Sequence, residues 1–264
     1  MFSNGRSGTS VLYRAFSLHP GVDGCGESAN LAFTTWRALE QISGITRYGR
    51  VETKDFGAEA AQLVRHAYLT VFPSDKKEWV HKPIGLPRIH RDFPGAEPDS
   101  DEFVDWYWNV FSRSFPDSRN FAILRNPLDV VISGKTYLGV EDAVMWRSLK
   151  FLYAHLMHAR DRIRIAVRYA DMIADPATTL KRICEAVELE FVPLMPKAFE
   201  RLHVPARGVM HGTKEELTEK RKTGFLHLEK RKALILDDDA LLALERYHRT
   251  LAMFGLPPDL EGTS

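Results

Sequence analysis

The sequence predicts an α/β fold in which helices flank a central, largely parallel sheet in three layers. Three observations predict it. Short apolar runs recur along the 264 residues, each ends in turn chemistry, and each leads into helical periodicity without any internal repeat or low-complexity tract. The first run is only a stub, Met1 and Phe2, before a turn from Asn4 to Thr9 and a helical stretch through Val11, Leu12, Ala15 and Phe16 that stops at His19-Pro20-Gly21. The second, Glu78 to Lys82, has Pro83 at its end. The third is Asn120 to Leu124, then Arg125 and a helix from Leu128 with Asn126 as N-cap and Pro127 as first helical residue. The fourth is Arg164 to Tyr169, then a helix capped at Asp175-Pro176 whose apolar positions Leu180, Ile183, Cys184 and Val187 share a face. Phe103, Trp106, Tyr107, Val110 and Phe111 repeat at helical spacing and read as a core face, and a last helix runs from about Asp239 to Phe254, stopped by Gly255 and Pro257.

Composition narrows the function classes. With 44% hydrophobic and 27% charged residues, and 36 Lys plus Arg against 35 Asp plus Glu, disorder, collagen and a disulfide scaffold are excluded. A formal charge of +1 gives no field for general nucleic-acid binding, so no nucleic-acid partner is expected and any polyanion site must be local. Cys25 and Cys184 lack C-x-x-C spacing and read as free thiols, which rules against a zinc site or redox pair. No apolar run reaches the roughly 20 residues of a membrane span, and the N-terminus lacks the regions of a secretory signal. A cytoplasmic protein is the expectation. No linker divides the chain, so residues 1–264 read as one domain.

Ligands of open parallel sheets bind beyond the carboxyl ends of the strands. Here those positions are Asn4 to Thr9, Lys82, Arg125 and Tyr169: a glycine-containing loop entering a helix, two cations and a ring, suited to a phosphorylated nucleotide. The loop Gly5-Arg6-Ser7-Gly8-Thr9-Ser10 is like a P-loop, but the ATPase form G-x-x-x-x-G-K-S/T requires Lys after its second glycine, where this chain has Thr9. The cation sits instead at Arg6, which argues against ordinary ATP or GTP hydrolysis.

Arg125 and Ser133 are joined in RNPLDVVIS, with the serine about two helical turns beyond the arginine. With GRSGTS before it and VRYADMIADPATTLKRICEAV after it, the chain resembles the sulfotransferases that use 3′-phosphoadenosine 5′-phosphosulfate, in their bacterial and Golgi-like branch. Members carry a loop of the GRSGTS kind and an R-D/N-P-x-D-x-x-x-S segment, and the likeness runs from residue 3 to about 190. The resemblance implies a P-loop-type fold with donor elements at 3–20, 120–140 and 164–190, acceptor-pocket elements at about 30–75 and 84–115, and a basic lid at about 205–232. It implies that Arg6, Ser7, Gly8, Thr9 and Ser10 hold the 5′-phosphosulfate, that Arg125 and Ser133 bind the 3′-phosphate, and that Tyr169 lies near the adenine. Arg221, Lys222 and Gly224, in a loose match to an R-K-G stretch, would contact the 3′-phosphate. Each role has an ordinary alternative: Arg125 an ion-pair partner, Ser133 a solvent-facing helix residue, Tyr169 a half-buried core ring, and the charge run at Lys230 to Lys232 a solvated face.

The implied chemistry is an in-line displacement on sulfur, needing an aligned acceptor and charge stabilisation on the departing phosphate. No metal is required for it. Lys82, like the lysine of a K-x-P-like segment in relatives, and Arg6 are the candidates for the leaving group. Glu27, where related enzymes carry a catalytic glutamate, is the candidate general base, its alternative being a carboxylate at a helix start. His81 is the second candidate base, although strand alternation sends it away from Lys82. His155 and His158 share a helix face without an evident third metal ligand. The resemblance implies 3′-phosphoadenosine 5′-phosphosulfate as co-substrate, 3′-phosphoadenosine 5′-phosphate as product, and a small molecule, carbohydrate or peptide as acceptor; Phe33, Trp36 and Trp108 lie in the acceptor region with core packing as their default. One departure stands out: relatives have a full apolar strand before the loop, whereas only Met1 to Asn4 precede Gly5. A nucleotide kinase and a non-catalytic nucleotide-binding module are the other readings.

Overall fold

A computed structural model describes residues 1–26, 29–46, 57–82, 99–200 and 234–259. Among the described residues the strands are β1 (Val22–Gly26), β2 (Glu78–His81), β3 (Asn120–Leu124) and β4 (Ile163–Arg168), with β1 parallel to β2 and β3 parallel to β4. Met1 and Phe2 join the two pairs. The Met1 nitrogen donates to His81 O at 2.9 Å, Phe2 N donates to Phe121 O at 2.8 Å, and Ile123 N donates to Phe2 O at 3.0 Å. The expected stub therefore bridges the two two-stranded parallel pairs, through a parallel bridge from Phe2 to Ala122 on one side and the Met1 nitrogen on the other, in the order β1, β2, Met1–Phe2, β3, β4.

Both faces of that sheet are covered, as parallel sheets require. Every β3 residue is buried, and alternation sends Phe121 and Ile123 to one face, Ala122 and Leu124 to the other. On the first face lie α1 (Thr9–Ser17), α8 (Pro176–Ala186) and the short α9 (Lys197–Glu200), contributing Leu12, Phe16, Leu180, Ile183 and Phe199. On the second lie α2 (Ala29–Thr46), α3 (Gly57–Val71), α4 (Asp101–Ser114), α6 (Asp142–His158) and α10 (Asp238–Met253). The second face also takes Val130 and Val131 of α5 (Pro127–Leu138), and the first takes Met172 of α7 (Tyr169–Ala174). This is the three-layer α/β architecture read from the sequence.

Local chemistry sets the helix starts where the sequence placed them. Asn126 Oδ1 accepts from Leu128 N at 3.1 Å with Pro127 behind it, and Asp175 Oδ1 accepts from Thr178 N at 3.0 Å, which holds the Asp175 carboxyl below its ordinary range. The aromatic run of α4 is core: Phe103, Tyr107, Val110 and Phe111 are buried. One strand goes beyond the apolar runs read from the sequence: Gly24-Cys25-Gly26 belongs to β1, and glycine suits position 24 because a Cβ there would collide with the Tyr13 side chain of α1.

Candidate active site

From Met1–Phe2 the chain crosses by α1 to β1, beyond β2, while the later crossover from β2 goes to β3 on the other side. The winding reverses around the loop Asn4 to Thr9. That is the topological switch point at which open α/β sheets bind their ligands.

The loop is shaped for close approach to an anion. Arg6 and Gly8 both have left-handed backbones, φ 69° and 82°, and Gly8 admits nothing else, since a Cβ would stand 2.5 Å from Tyr169 Cε2 and 2.7 Å from Met172 Cε. Ser7 and Thr9 are buried, Ser10 is exposed, and the first turn of α1 holds no acidic residue against its positive end. Arg6 Nε donates to Ser133 Oγ at 3.0 Å, so two residues expected at different phosphates meet.

Arg125 closes the cluster. It is 6% exposed, donates through Nη1 to the Arg6 carbonyl, and lies over the Tyr169 ring at 4.7 Å. Tyr169 thus stands between Gly8 and Arg125 and sets the spacing of loop and cation. Among the described residues Arg125 has no carboxylate partner, and its buried Nε has no hydrogen-bond partner. A buried guanidinium with an unused donor, beside a left-handed loop and a helix start, fits an anionic ligand such as a phosphate.

A family model described as "Sulfotransferase family" matches residues 2–193. The chain belongs to the sulfotransferase family. Two solved structures share its fold: the sulfotransferase domain from the Synechococcus PCC 7002 olefin synthase, 17% identical with a TM-score of 0.53 over 94% of this chain and 92% of that one, and the sulfotransferase domain from the curacin biosynthetic pathway, 12% identical with a TM-score of 0.52 over 97% and 96%. No curated protein sequence matches this sulfotransferase.

Lys82 follows β2 at the same sheet edge, 8% exposed, with Nζ 5.7 Å from the Tyr13 ring centroid. Its backbone N–H donates to Gly26 O at 3.2 Å, which brings Lys82 beside the residue that precedes Glu27. Glu27, Arg221, Lys222 and Gly224 lie outside the described residues.

His81 goes the other way, as alternation requires. Its ring stands against Tyr68, Phe111 and Phe115, and its Nε2 is 3.5 Å from Tyr68 Oη. Burial pushes the imidazole down from 6.5 to about 3. Between those values the unfolded chain binds a proton that the folded one does not, so stability is full above the unfolded value and falls as the pH drops toward the folded one. Melting curves of the sulfotransferase at about pH 7 and about pH 5 should show a larger loss for wild type than for His81→Gln. Equal losses would mean that the ring is solvated.

The ring residues of the acceptor region are walls of the core. Phe33, Trp36 and Trp108 are all buried, and the Trp36 and Trp106 indoles both donate to Glu40 Oε1, at 3.0 and 3.1 Å. His155 packs against Tyr107, while His158 pairs with Asp105 at 2.8 Å. Among the described residues no group of three His, Cys, Asp or Glu side chains is placed to hold a metal, and no helix is long and apolar enough to cross a membrane. A cleft of about 450 Å³ lies at the amino ends of the strands, lined by Trp79, Phe115, Asn120 and Phe121. It is on the opposite sheet edge from the loop and contains none of its cations.

Proposed function

We propose that this sulfotransferase moves a sulfuryl group from 3′-phosphoadenosine 5′-phosphosulfate to a hydroxyl or amine of an acceptor. The observation that carries the reading is Arg125, a buried cation with an unused donor and no carboxylate partner among the described residues, set beside the Gly5–Ser10 loop. In this reading the loop amides and the Ser7, Thr9 and Ser10 hydroxyls hold the 5′-phosphosulfate. Arg125 and Ser133 hold the 3′-phosphate, Tyr169 backs both and borders the adenine, and Arg221, Lys222 and Gly224 close over the 3′-phosphate.

Chemistry follows from charge flow. The acceptor oxygen or nitrogen forms a bond to sulfur while the bond from sulfur to the bridging oxygen breaks, and the acceptor proton passes to the Glu27 carboxylate. Negative charge collects on the departing 5′-phosphate, where Lys82 and Arg6 stabilise it more than in the ground state. The acceptor is a small molecule, carbohydrate or peptide. A reducing cytoplasmic setting fits Cys184, a free, buried thiol that burial pushes up to about 11.

Calorimetric titration tests the donor. The protein is expected to bind 3′-phosphoadenosine 5′-phosphate in the micromolar range, by analogy with ordinary co-substrate affinities of roughly 1 μM to 1 mM, and to give no heat with ATP and Mg²⁺. Binding of ATP in place of that nucleotide would overturn the proposal and favour a kinase.

A further inference from the structure

Residues 256–259 leave α10 and cross the carboxyl edge of the sheet, reaching both flanks of Arg125. On one flank Asp259 Oδ2 accepts from Asn126 Nδ2 at 2.9 Å, and on the other the carbonyls of Pro257 and Pro258 accept from Arg168 Nη1 at 3.3 and 3.4 Å. Asn126 follows Arg125 in the chain, and Arg168 precedes Tyr169, the ring beneath the guanidinium. Arg168 is itself fixed by a two-pronged pair with Asp171, at 3.0 and 2.5 Å.

A carboxylate is the informative choice at 259. Ionised, it accepts only, so it selects the Nδ2 end of the Asn126 amide and leaves Oδ1 to cap Leu128 N. The same Oδ2 accepts from Tyr247 Oη at 2.6 Å, and burial first, then Asp259, raises the Tyr247 phenol so that it stays a donor at all ordinary pH. The Tyr247 ring is 5.4 Å from Tyr153, whose hydroxyl donates to Arg125 O at 3.4 Å. Two lines thus lead from Asp259 Oδ2 to Arg125: one through Asn126, its neighbour in the chain, and one through the tyrosine pair to its carbonyl.

We infer that Asp259 is a positioning residue for the donor site, holding the Arg125 turn at the height and angle at which the guanidinium meets an anion. That the anion is the 3′-phosphate rests on the function proposed above. The strap across Asn126 and Arg168 does not.

Two readouts on Asp259→Ala and Asp259→Asn separate the claims. Amide exchange at Leu128 and Val130 reads the strap: it should quicken in Asp259→Ala and stay near wild type in Asp259→Asn, whose amide oxygen can accept both bonds. Titration with 3′-phosphoadenosine 5′-phosphate and with adenosine 5′-phosphate reads the coupling. Asp259→Ala should weaken the first by about tenfold and the second by less than about twofold, with Asp259→Asn restoring most of the difference. Unchanged exchange in Asp259→Ala overturns the strap. Quickened exchange with equal weakening of both nucleotides overturns positioning and leaves only a structural role. If wild type binds neither nucleotide, the donor reading fails, and exchange alone then decides whether Asp259 holds the turn.

Discussion

Replacing Arg125 with alanine is expected to weaken binding of 3′-phosphoadenosine 5′-phosphate by about 100-fold. Hydrogen bonds to a charged group are each worth about 1.5–3 kcal/mol, and a guanidinium can offer two in parallel from a buried position. The substitution also removes the donor to the Arg6 carbonyl and the cation over Tyr169, so the Gly5–Ser10 loop loses its anchor at the same time. Arg125→Lys keeps the charge but not the planar fork, and should fall between the two. Calorimetry with a melting curve for each variant checks this. Undiminished affinity in a folded Arg125→Ala protein would place the anion elsewhere.

The second large effect is on stability. Phe2→Ala should cost about 3–5 kcal/mol, a large part of the roughly 5–15 kcal/mol that a domain possesses. Phe2 is 3% exposed, its ring centroid stands 4.8 Å from Trp108 and 5.5 Å from Phe111, and its backbone bonds β3 in both directions. Phe2→Leu refills part of the cavity and should cost less. Urea unfolding gives both values, and a loss under about 1 kcal/mol in Phe2→Ala would show that the dipeptide does not bind the sheet together.

Arg125 was legible because everything that places it is local: an apolar run, an Asn able to cap, and a Pro fit for the first helical turn. The loop glycines were legible for the same reason. Strand β1 was not, since two glycines in five residues break the alternation that marks a strand, and the reason for Gly24 is a tyrosine on another element. The meeting of Arg6 with Ser133 spans 127 positions, and that of Asn126 with Asp259 spans 133, so no spacing rule reports either. Asp259 left no local mark at all, being one acid after two prolines. Phe33, Trp36 and Trp108 had core packing as their default reading, and burial bears it out.

The central place of Met1–Phe2 in the sheet also orders assembly. Each outer pair of strands closes over a shorter stretch of chain, β1 with β2 and β3 with β4. The dipeptide bonds residues 80 and about 120 positions away, so its docking is expected to follow the pairing of β1 with β2 and of β3 with β4. The loop that follows it takes its place at the seam between the two pairs at that same moment. Recovery of nucleotide binding during refolding is therefore expected to lag behind amide protection within the two strand pairs, β1 with β2 and β3 with β4.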